Sequence, residues 1–224
     1  MAQAEDSLII RYNIGLLGRW QTGNLSQFGI NPRAAINFFH SNFNGELNAD
    51  YQFMKAGDFT LVNDFWVNGI YRHSPERKVF PMLAFYSGYA KSYKIDAAVT
   101  AGAGAGVNLF RISPFKYLQF HVFAGYLYFD FENESAHQSL GIGTITKAAF
   151  PVGKQLNVIW QLDTYNSGKD LPFWGGSNKF ILQFKVTGAL SFDVMHSILF
   201  NNKVAGGIEK TNTLMQFGIQ YHYH

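Results

Sequence analysis

The sequence of 224 residues lacks cysteine and is poor in charged residues. The absence of cysteine excludes a disulfide-stabilised scaffold and metal sites built from thiolates. Charged residues make up 15% of the chain, whereas typical soluble domains carry about 25%. The net charge is only +3 and no basic run is present, which argues against a nucleic-acid partner.

Long apolar runs are also missing from the sequence. The longest charge-free stretches, such as 97–110, fall short of the ~18–20 apolar residues that a helical membrane span needs. Residues 1–7 are polar and lack the basic start and apolar middle of a secretory signal peptide. We interpret them as a polar N-terminal tail and, for a membrane protein, expect a leader peptide to have been removed before it.

Aromatic residues, by contrast, are abundant. They make up 17% of the chain, while the mean hydropathy of −0.06 shows that the sequence is not apolar on average. Few charges, many aromatic residues and middling hydropathy fit a soluble globule poorly. The combination is typical of a protein that exposes an apolar face to lipid and keeps its polar residues inside.

The segment 43–54 shows this division most clearly. Leu47 and Tyr51 fall on odd positions with other apolar residues, whereas Glu46 and Asp50 fall on even positions with polar ones. Because successive side chains of a strand point to opposite faces, the segment is predicted to be a long strand with one apolar and one acidic face.

Similar alternation recurs along the whole chain, and no segment favours a helix. Strands of globular proteins average about 5–6 residues, but those predicted here are roughly 10–15 residues long. Such lengths suit a transmembrane barrel, in which about 9–11 tilted residues cross the hydrocarbon core. The predicted strands span about 8–21, 25–39, 43–54, 59–72, 79–89, 97–110, 117–131, 137–150, 155–165, 179–190, 194–200 and 213–224.

We therefore predict an all-β protein, a transmembrane antiparallel up-and-down β-barrel of about twelve strands, with residues 1–224 in a single domain. A soluble lipocalin-like or sandwich protein is the alternative, but its polar faces would carry more Lys and Glu. Short connections alternate with longer or more polar ones, as periplasmic turns alternate with outer loops in such barrels. The short turns lie near 40–42, 74–77, 113–116, 151–154 and 191–193. The longer or more polar loops are predicted near 90–96, 131–136, 166–178 and 201–212, with 91–96 polar.

Three motifs resemble those of a bacterial protein family. They are Gly18-Arg-Trp-Gln-Thr-Gly23-Asn24, the aromatic Ala84-Phe-Tyr-Ser-Gly-Tyr, and the glycine run Ala101-Gly-Ala-Gly-Ala-Gly-Val-Asn-Leu. In this order they are similar to the family of salt-induced outer-membrane proteins, which has no assigned activity. The resemblance implies an outer-membrane β-barrel and no particular chemistry. The chain ends on His224 rather than on the aromatic residue usual in such barrels.

The leading functional hypothesis concerns the polar face of the strands. It predicts an integral, non-enzymatic barrel in the outer membrane of a Gram-negative bacterium. Its lumen is either a narrow channel whose charges tune selectivity or a packed interior of paired charges in a structural, envelope-stress barrel. By parity, the lumen-facing residues include Arg11, Asn13, Arg33, Glu46, Asn48, Asp50, Asp64, Asp163 and Lys185.

An enzymatic alternative rests on His137 and Ser139, which share one face of a strand. A His-x-Ser pair resembles the site of outer-membrane phospholipases and lipid A deacylases, where the histidine activates the serine. Asn157 or Glu134 would then orient the histidine. Parity groups the pair with Gly141, towards the lumen, whereas a lipid hydrolase needs its nucleophile to face lipid.

The remaining candidates concern partners. Phe173 and Trp174, in a glycine-rich loop, are candidates for binding a glycan or a protein, or for anchoring in lipopolysaccharide. The seven histidines are dispersed, so we predict neither a metal site nor a cofactor. Expected partners are outer-membrane lipids, lipopolysaccharide and the barrel assembly machinery during biogenesis. A third hypothesis is an accessory subunit whose outer wall binds another outer-membrane protein.

Overall fold

The computed structural model describes residues 7–21, 27–113, 115–132, 135–168, 174–202 and 210–223. In this part of the chain, nearly all residues lie in twelve antiparallel strands, which confirms the predicted fold class. The strands are β1 (Ile9–Gln21), β2 (Gln27–Phe39), β3 (Phe43–Ala56), β4 (Phe59–His73), β5 (Val79–Ala90), β6 (Ile95–Ser113), β7 (Lys116–Phe131), β8 (His137–Val152), β9 (Leu156–Ser167), β10 (Trp174–Lys185), β11 (Leu190–Asn201) and β12 (Thr211–Tyr223).

The first and last strands pair with each other and close the sheet. Tyr12 lies opposite Tyr223 and Gly18 lies opposite Phe217, while every other strand pairs with its neighbours in sequence. Closure removes the free edges whose backbone N–H and C=O groups would otherwise lie unpaired in hydrocarbon. The two described chain ends therefore lie at the same end of the barrel.

The number of strands sets the width of the barrel. Twelve strands spaced about 4.8 Å apart and tilted by about 40° give a backbone diameter of about 24 Å. Inward side chains from opposite walls can therefore meet at the centre only if they are long or bulky. No helix among the described residues is long and apolar enough to span a membrane.

The outer wall is apolar and exposed. On β1, Tyr12, Ile14 and Leu16 are 42%, 64% and 56% exposed, whereas the inward-facing Leu17 is 2% exposed. Aromatic side chains form rows near both ends of the wall, as in the interfacial girdles of membrane barrels. One row includes the pair Tyr12 and Tyr223, and the other the pair Phe65 and Tyr89.

One side of the interior, between β4 and β8, is filled with apolar side chains. Ile70, Met82, Phe123 and Ile145 pack there as a buried cluster. Inward-facing glycines leave room for these residues: a Cβ atom at Gly143 would lie 2.2 Å from the ring of Phe123. The glycine pattern of β6 and β8 thus accommodates bulky residues rather than a wide pore.

Three predicted connections differ from the structure. The turn predicted at 191–193 belongs to β11, because Asp193 is an inward residue that accepts a hydrogen bond from Ser191 rather than a turn former. The loop predicted at 166–178 is shorter, since β9 extends to Ser167 and β10 begins at Trp174. The polar loop at 91–96 contains a 3₁₀ turn, Lys91–Tyr93, and leads into β6 at Ile95.

The packing against Gly143 gives a test of the filled interior. We expect Gly143→Leu to lower the free energy of unfolding by about 1–3 kcal/mol, because the new side chain overlaps Phe123. Denaturant unfolding in detergent micelles measures this change. The matched control is Ala103→Leu, which adds bulk to an exposed position on the outer wall and should leave the stability unchanged. Equal effects of the two substitutions would contradict the packed interior.

Candidate functional site in the barrel lumen

Glu46 is the centre of a charged layer in the half of the lumen nearest the chain ends. Its Oε1 accepts a hydrogen bond from Arg72 Nη2 on β4 at 3.1 Å and forms an ion pair with Lys147 Nζ on β8. The three side chains are 14%, 7% and 10% exposed. Since β3 and β8 are five strands apart around the barrel, the Glu46–Lys147 pair joins opposite walls.

His121 completes this layer, which we call the lower layer. Its Nε2 accepts a hydrogen bond from Arg72 Nε at 3.3 Å, and its Nδ1 lies 3.0 Å from the carbonyl oxygen of Ile145. Both contacts are satisfied by the neutral tautomer that carries its proton on Nδ1. The ring is fully buried and meets Phe80 edge-on. A neutral histidine on β7 thus holds Arg72 against Glu46.

A second charged layer, the middle layer, lies farther from the chain ends, and Asp50 is its first carboxylate. Arg33 Nε lies 3.3 Å from Asp50 Oδ2, and Asn31 Nδ2 donates to Oδ1 at 2.9 Å. Gln52 Nε2 adds a third donor at 3.3 Å. These contacts pair Arg33 with Asp50 directly across the β2–β3 ladder.

Asp163 is the second carboxylate of the middle layer. Tyr86 Oη on β5 donates to Asp163 Oδ1 on β9 at 3.1 Å, which links strands that are four apart around the barrel. Gln161 Nε2 and Ser177 Oγ donate to Oδ2 at 2.8 and 3.0 Å. Lys179 on β10 has both Asp50 and Asp163 among its charged neighbours. Each buried carboxylate is therefore compensated, as low-polarity surroundings require.

The 3₁₀ turn Lys91–Tyr93 lies at the end of the lumen opposite the chain ends and reaches across part of it. Asp64 anchors this turn by accepting a hydrogen bond from the backbone N–H of Ser92 at 3.0 Å. Tyr93 is 2% exposed and packs against Leu127 and Phe129 in an apolar cluster. Its hydroxyl lies 3.5 Å from the carbonyl oxygen of Leu199, on the far wall. Burial, with the Asp64 charge nearby, raises the pKa of Tyr93 to about 12.

Two of the predicted lumen residues, Arg11 and Lys185, do not join the charged layers. Arg11 faces inward, but its guanidinium lies over the rings of Phe39 and Phe115, at 5.4 and 4.9 Å, rather than beside a carboxylate. Lys185 is exposed at the end of β10, at the rim of the barrel. Strand parity places both residues on the inner face but does not identify their neighbours.

The predicted polar neutral residues also lie on the inner wall. Asn48 Nδ2 donates to Asn68 Oδ1 on the next strand at 3.1 Å. Asn13 Oδ1 lies 2.8 Å from His222 Nδ1, across the β1–β12 seam. These contacts join strands that are adjacent in the barrel and help to fix their register.

Sequence reasoning missed the residues that cross the lumen. Arg72, Tyr86, His121 and Lys147 were absent from the predicted set, although Arg72 lies on the same face as Asp64 by parity. Lys147 lies beside small apolar residues and Tyr86 lies in an aromatic run, so the sequence pattern identifies neither as a polar residue of the lumen. A contact such as Lys147 with Glu46 spans 101 residues and depends on the register of every strand between them.

The structure places His137 and Ser139 on the inner wall, and both side chains converge on Ser167. His137 Nε2 lies 3.2 Å and Ser139 Oγ 2.8 Å from Ser167 Oγ. Asn157 hydrogen-bonds to Gln183 instead, near the other end of β9. Its partner on β8 is fourteen residues beyond His137, about 46 Å along the strand at ~3.3 Å per residue. Asn157 therefore cannot orient His137.

The remaining candidates contribute little to the lumen. Trp174 lies at the start of β10, where its ring packs 4.6 Å from that of Phe200. Phe173 and Glu134 lie outside the described residues. Among the side chains that the structure describes, no group of three or more His, Asp or Glu residues is arranged to hold a metal ion.

A closed antiparallel barrel with an apolar outer wall and a polar interior is the architecture of an outer-membrane β-barrel. The family described as "Protein of unknown function, DUF481" matches residues 14–223, and the chain belongs to this family. The match confirms the predicted membership of an outer-membrane barrel family and extends beyond the three motifs that suggested it. None of the curated proteins matches the chain.

The fold is similar to that of a solved porin. The NanC porin is 10% identical and superposes with a TM-score of 0.52, covering 96% of this chain and 98% of the porin. An anion-selective porin from Comamonas acidovorans is 10% identical, with a TM-score of 0.44 over 97% of this chain and 99% of its own. The translocator domain of the autotransporter NalP from Neisseria meningitidis is 9% identical, with a TM-score of 0.45 over 97% and 88%. At such low identity, the likeness to NanC shows a common porin-like fold.

The lower layer predicts a large effect for loss of the Glu46 charge. We expect Glu46→Gln to reduce the free energy of unfolding by about 3–5 kcal/mol, because Arg72 and Lys147 would remain buried without their counter-charge. Denaturant titration in detergent measures the loss. Glu76→Gln is the control, since Glu76 pairs with Arg111 at an exposed site and should change stability by less than about 1 kcal/mol. If Glu46→Gln were as mild as the control, the layer would not stabilise the barrel.

Proposed function

We propose that the protein is a narrow, non-enzymatic channel for small ions or solutes in the outer membrane of a Gram-negative bacterium, closed in the described conformation. The observation that carries this proposal is the separation of the interior into apolar and polar regions. Apolar clusters lie on two sides of the lumen, and between them is a band of partly exposed polar side chains, which we call the slot. The slot is lined by Arg33, Asn48, Asn68, Gln161, Ser177 and Lys179.

Two closures limit this slot. The lower layer blocks it through the Glu46–Lys147 and Arg72–His121 contacts, and the turn Lys91–Tyr93 blocks the opposite mouth. Both closures depend on hydrogen bonds, ion pairs and side-chain packing rather than on strand pairing. Their rearrangement would open a path without unfolding the barrel wall.

The charges in the slot favour a channel over a purely structural barrel. Replacing buried ion pairs with packed apolar residues is often neutral or stabilising. This chain already fills the β4–β8 side with Ile70, Met82 and Phe123, so its fold tolerates an apolar interior. Charges inside a membrane protein commonly mark a path for ions or solutes. NanC, which shares the fold, is a porin, and this agrees with the proposal.

The absence of enzymatic activity is part of the proposal. His137 and Ser139 are both about 9% exposed and face the interior, where Ser167 links them. Neither serine hydroxyl faces the lipid that a phospholipase or deacylase must reach. Hydrolysis of phospholipid vesicles by the purified protein, abolished by Ser139→Ala or Ser167→Ala, would contradict this part of the proposal.

The outer wall supports the proposed location in the outer membrane. Its exposed apolar side chains would contact outer-membrane lipids, and the aromatic row farthest from the chain ends would lie near lipopolysaccharide. Insertion of such a barrel requires the barrel assembly machinery, which we propose as a transient partner.

Planar-bilayer recording tests the channel. We expect the wild-type protein to give small conductance steps, and the double variant Glu46→Gln with Tyr93→Ala to give larger ones because both closures are weakened. Glu46→Gln alone should also shift the reversal potential in a salt gradient towards anion selectivity, since Arg72 and Lys147 lose their counter-charge.

Glu76→Gln controls for a general effect of removing a carboxylate, because Glu76 lies outside the slot and pairs with Arg111. It should leave both conductance and selectivity unchanged. If neither the wild-type protein nor a Glu46→Gln, Asp50→Asn variant conducts, the channel is refuted and a structural role in the envelope is favoured instead.

A further inference from the structure

A polar patch interrupts the lipid-facing wall on β8 to β11. It consists of Thr144, Thr164, Asn178 and His196, which the strand register places on the outer face. The two threonine hydroxyls lie 2.7 Å apart, and Asn178 Oδ1 accepts a hydrogen bond from Trp160 Nε1 at 2.7 Å. His196 lies on β11, two residues before Ile198, which is the partner of Asn178.

The four residues of this patch share one level of the wall. Gly176 is the partner of Thr164 on β10, and Asn178 lies two residues beyond it towards the chain ends. His196 is displaced from the partner of Asn178 in the same direction. Because the strands tilt by about 35–45°, the directly paired residue on the next strand lies farther from the chain ends. The two-residue displacement towards the chain ends offsets this shift, so the residues lie at nearly the same level.

The rest of the wall at this level is apolar. A lipid-facing surface of this kind needs no hydrogen-bonding side chains, and polar groups that meet only lipid tails are unfavourable. Outward residues near the level of the patch on other strands are Leu16, Pro32, Ala49, Val67, Phe85, Ala103, Val122 and Phe217.

The patch retains unused hydrogen-bonding capacity. Among the described residues, His196 has no hydrogen-bond partner, and its ring offers one donor and one acceptor. Asn178 uses its oxygen for Trp160, which leaves the two N–H groups of its amide as donors. Small residues allow close approach between membrane proteins, and Gly176 lies beside these groups. The patch is therefore equipped to bind another polar surface within the membrane.

We propose that a second copy of this chain binds the patch and forms a symmetric dimer. Two copies insert in the same orientation and to the same depth. A two-fold axis along the membrane normal therefore brings each patch against its equivalent at the same level. Donors and acceptors are both present, so the patch is complementary to itself. This inference concerns the outer wall and does not depend on whether the lumen conducts.

The absence of cysteine allows a direct test in the native membrane. Leu162 and Ile198 lie on either side of Asn178 and face outwards, so each is replaced by cysteine in turn. We expect a short bis-maleimide to link each variant into a species of twice the 25.3 kDa chain mass. The control is Val67→Cys on β4, six strands from β10 and thus on the opposite wall, which should remain monomeric.

A second arm tests the polar groups themselves. In the Ile198→Cys background, replacing Asn178 and His196 with leucine should abolish the crosslink, while the barrel still shows folded, heat-modifiable migration. The proposal is overturned if neither Leu162→Cys nor Ile198→Cys gives the dimer, or if Val67→Cys crosslinks equally well. It is also overturned if the leucine variant dimerises like its parent, or if the crosslinked species contains a different protein.

Discussion

The structure depends on one constraint, that a strand crossing hydrocarbon must find all its hydrogen bonds within the protein. The pairing of β1 with β12 satisfies this constraint by closing the sheet. Closure then fixes the direction of every side chain, because alternate residues face lipid or the lumen. Ile14 and Leu16 become lipid contacts, while Asn13 and Leu17 point inwards. The alternation of polar and apolar side chains along each strand therefore follows from the closed backbone.

The width of the closed barrel explains how its interior is built. Twelve strands give a backbone diameter of about 24 Å, wider than one layer of small side chains can fill. The chain fills this space in two ways. Glycines such as Gly143 admit the ring of Phe123 on one side, and long charged residues such as Lys147 reach across the centre. The Glu46–Lys147 ion pair therefore spans the lumen and connects its walls.

Alternation along the sequence was sufficient to predict twelve strands and to place Glu46 and Asp50 on the inner face. It was insufficient for contacts between distant strands, because these depend on the register around the barrel. Glu46 meets Lys147 only after the five strand pairings from β3 to β8 have formed, and Ser167 meets His137 through the β8–β9 register. Tyr93 was missed for a related reason: its segment is polar, and its burial depends on residues of β7 and β11.

Glu46 and Lys147 interact across the lumen and hold its walls together. A double-mutant cycle in detergent micelles, with Glu46→Gln, Lys147→Met and the double variant, measures this interaction most directly. The free energies of unfolding should show a coupling of at least about 1.5 kcal/mol, as for other close charge pairs with low exposure. Effects that add to within about 0.5 kcal/mol would show that the two residues do not interact, and would contradict the account.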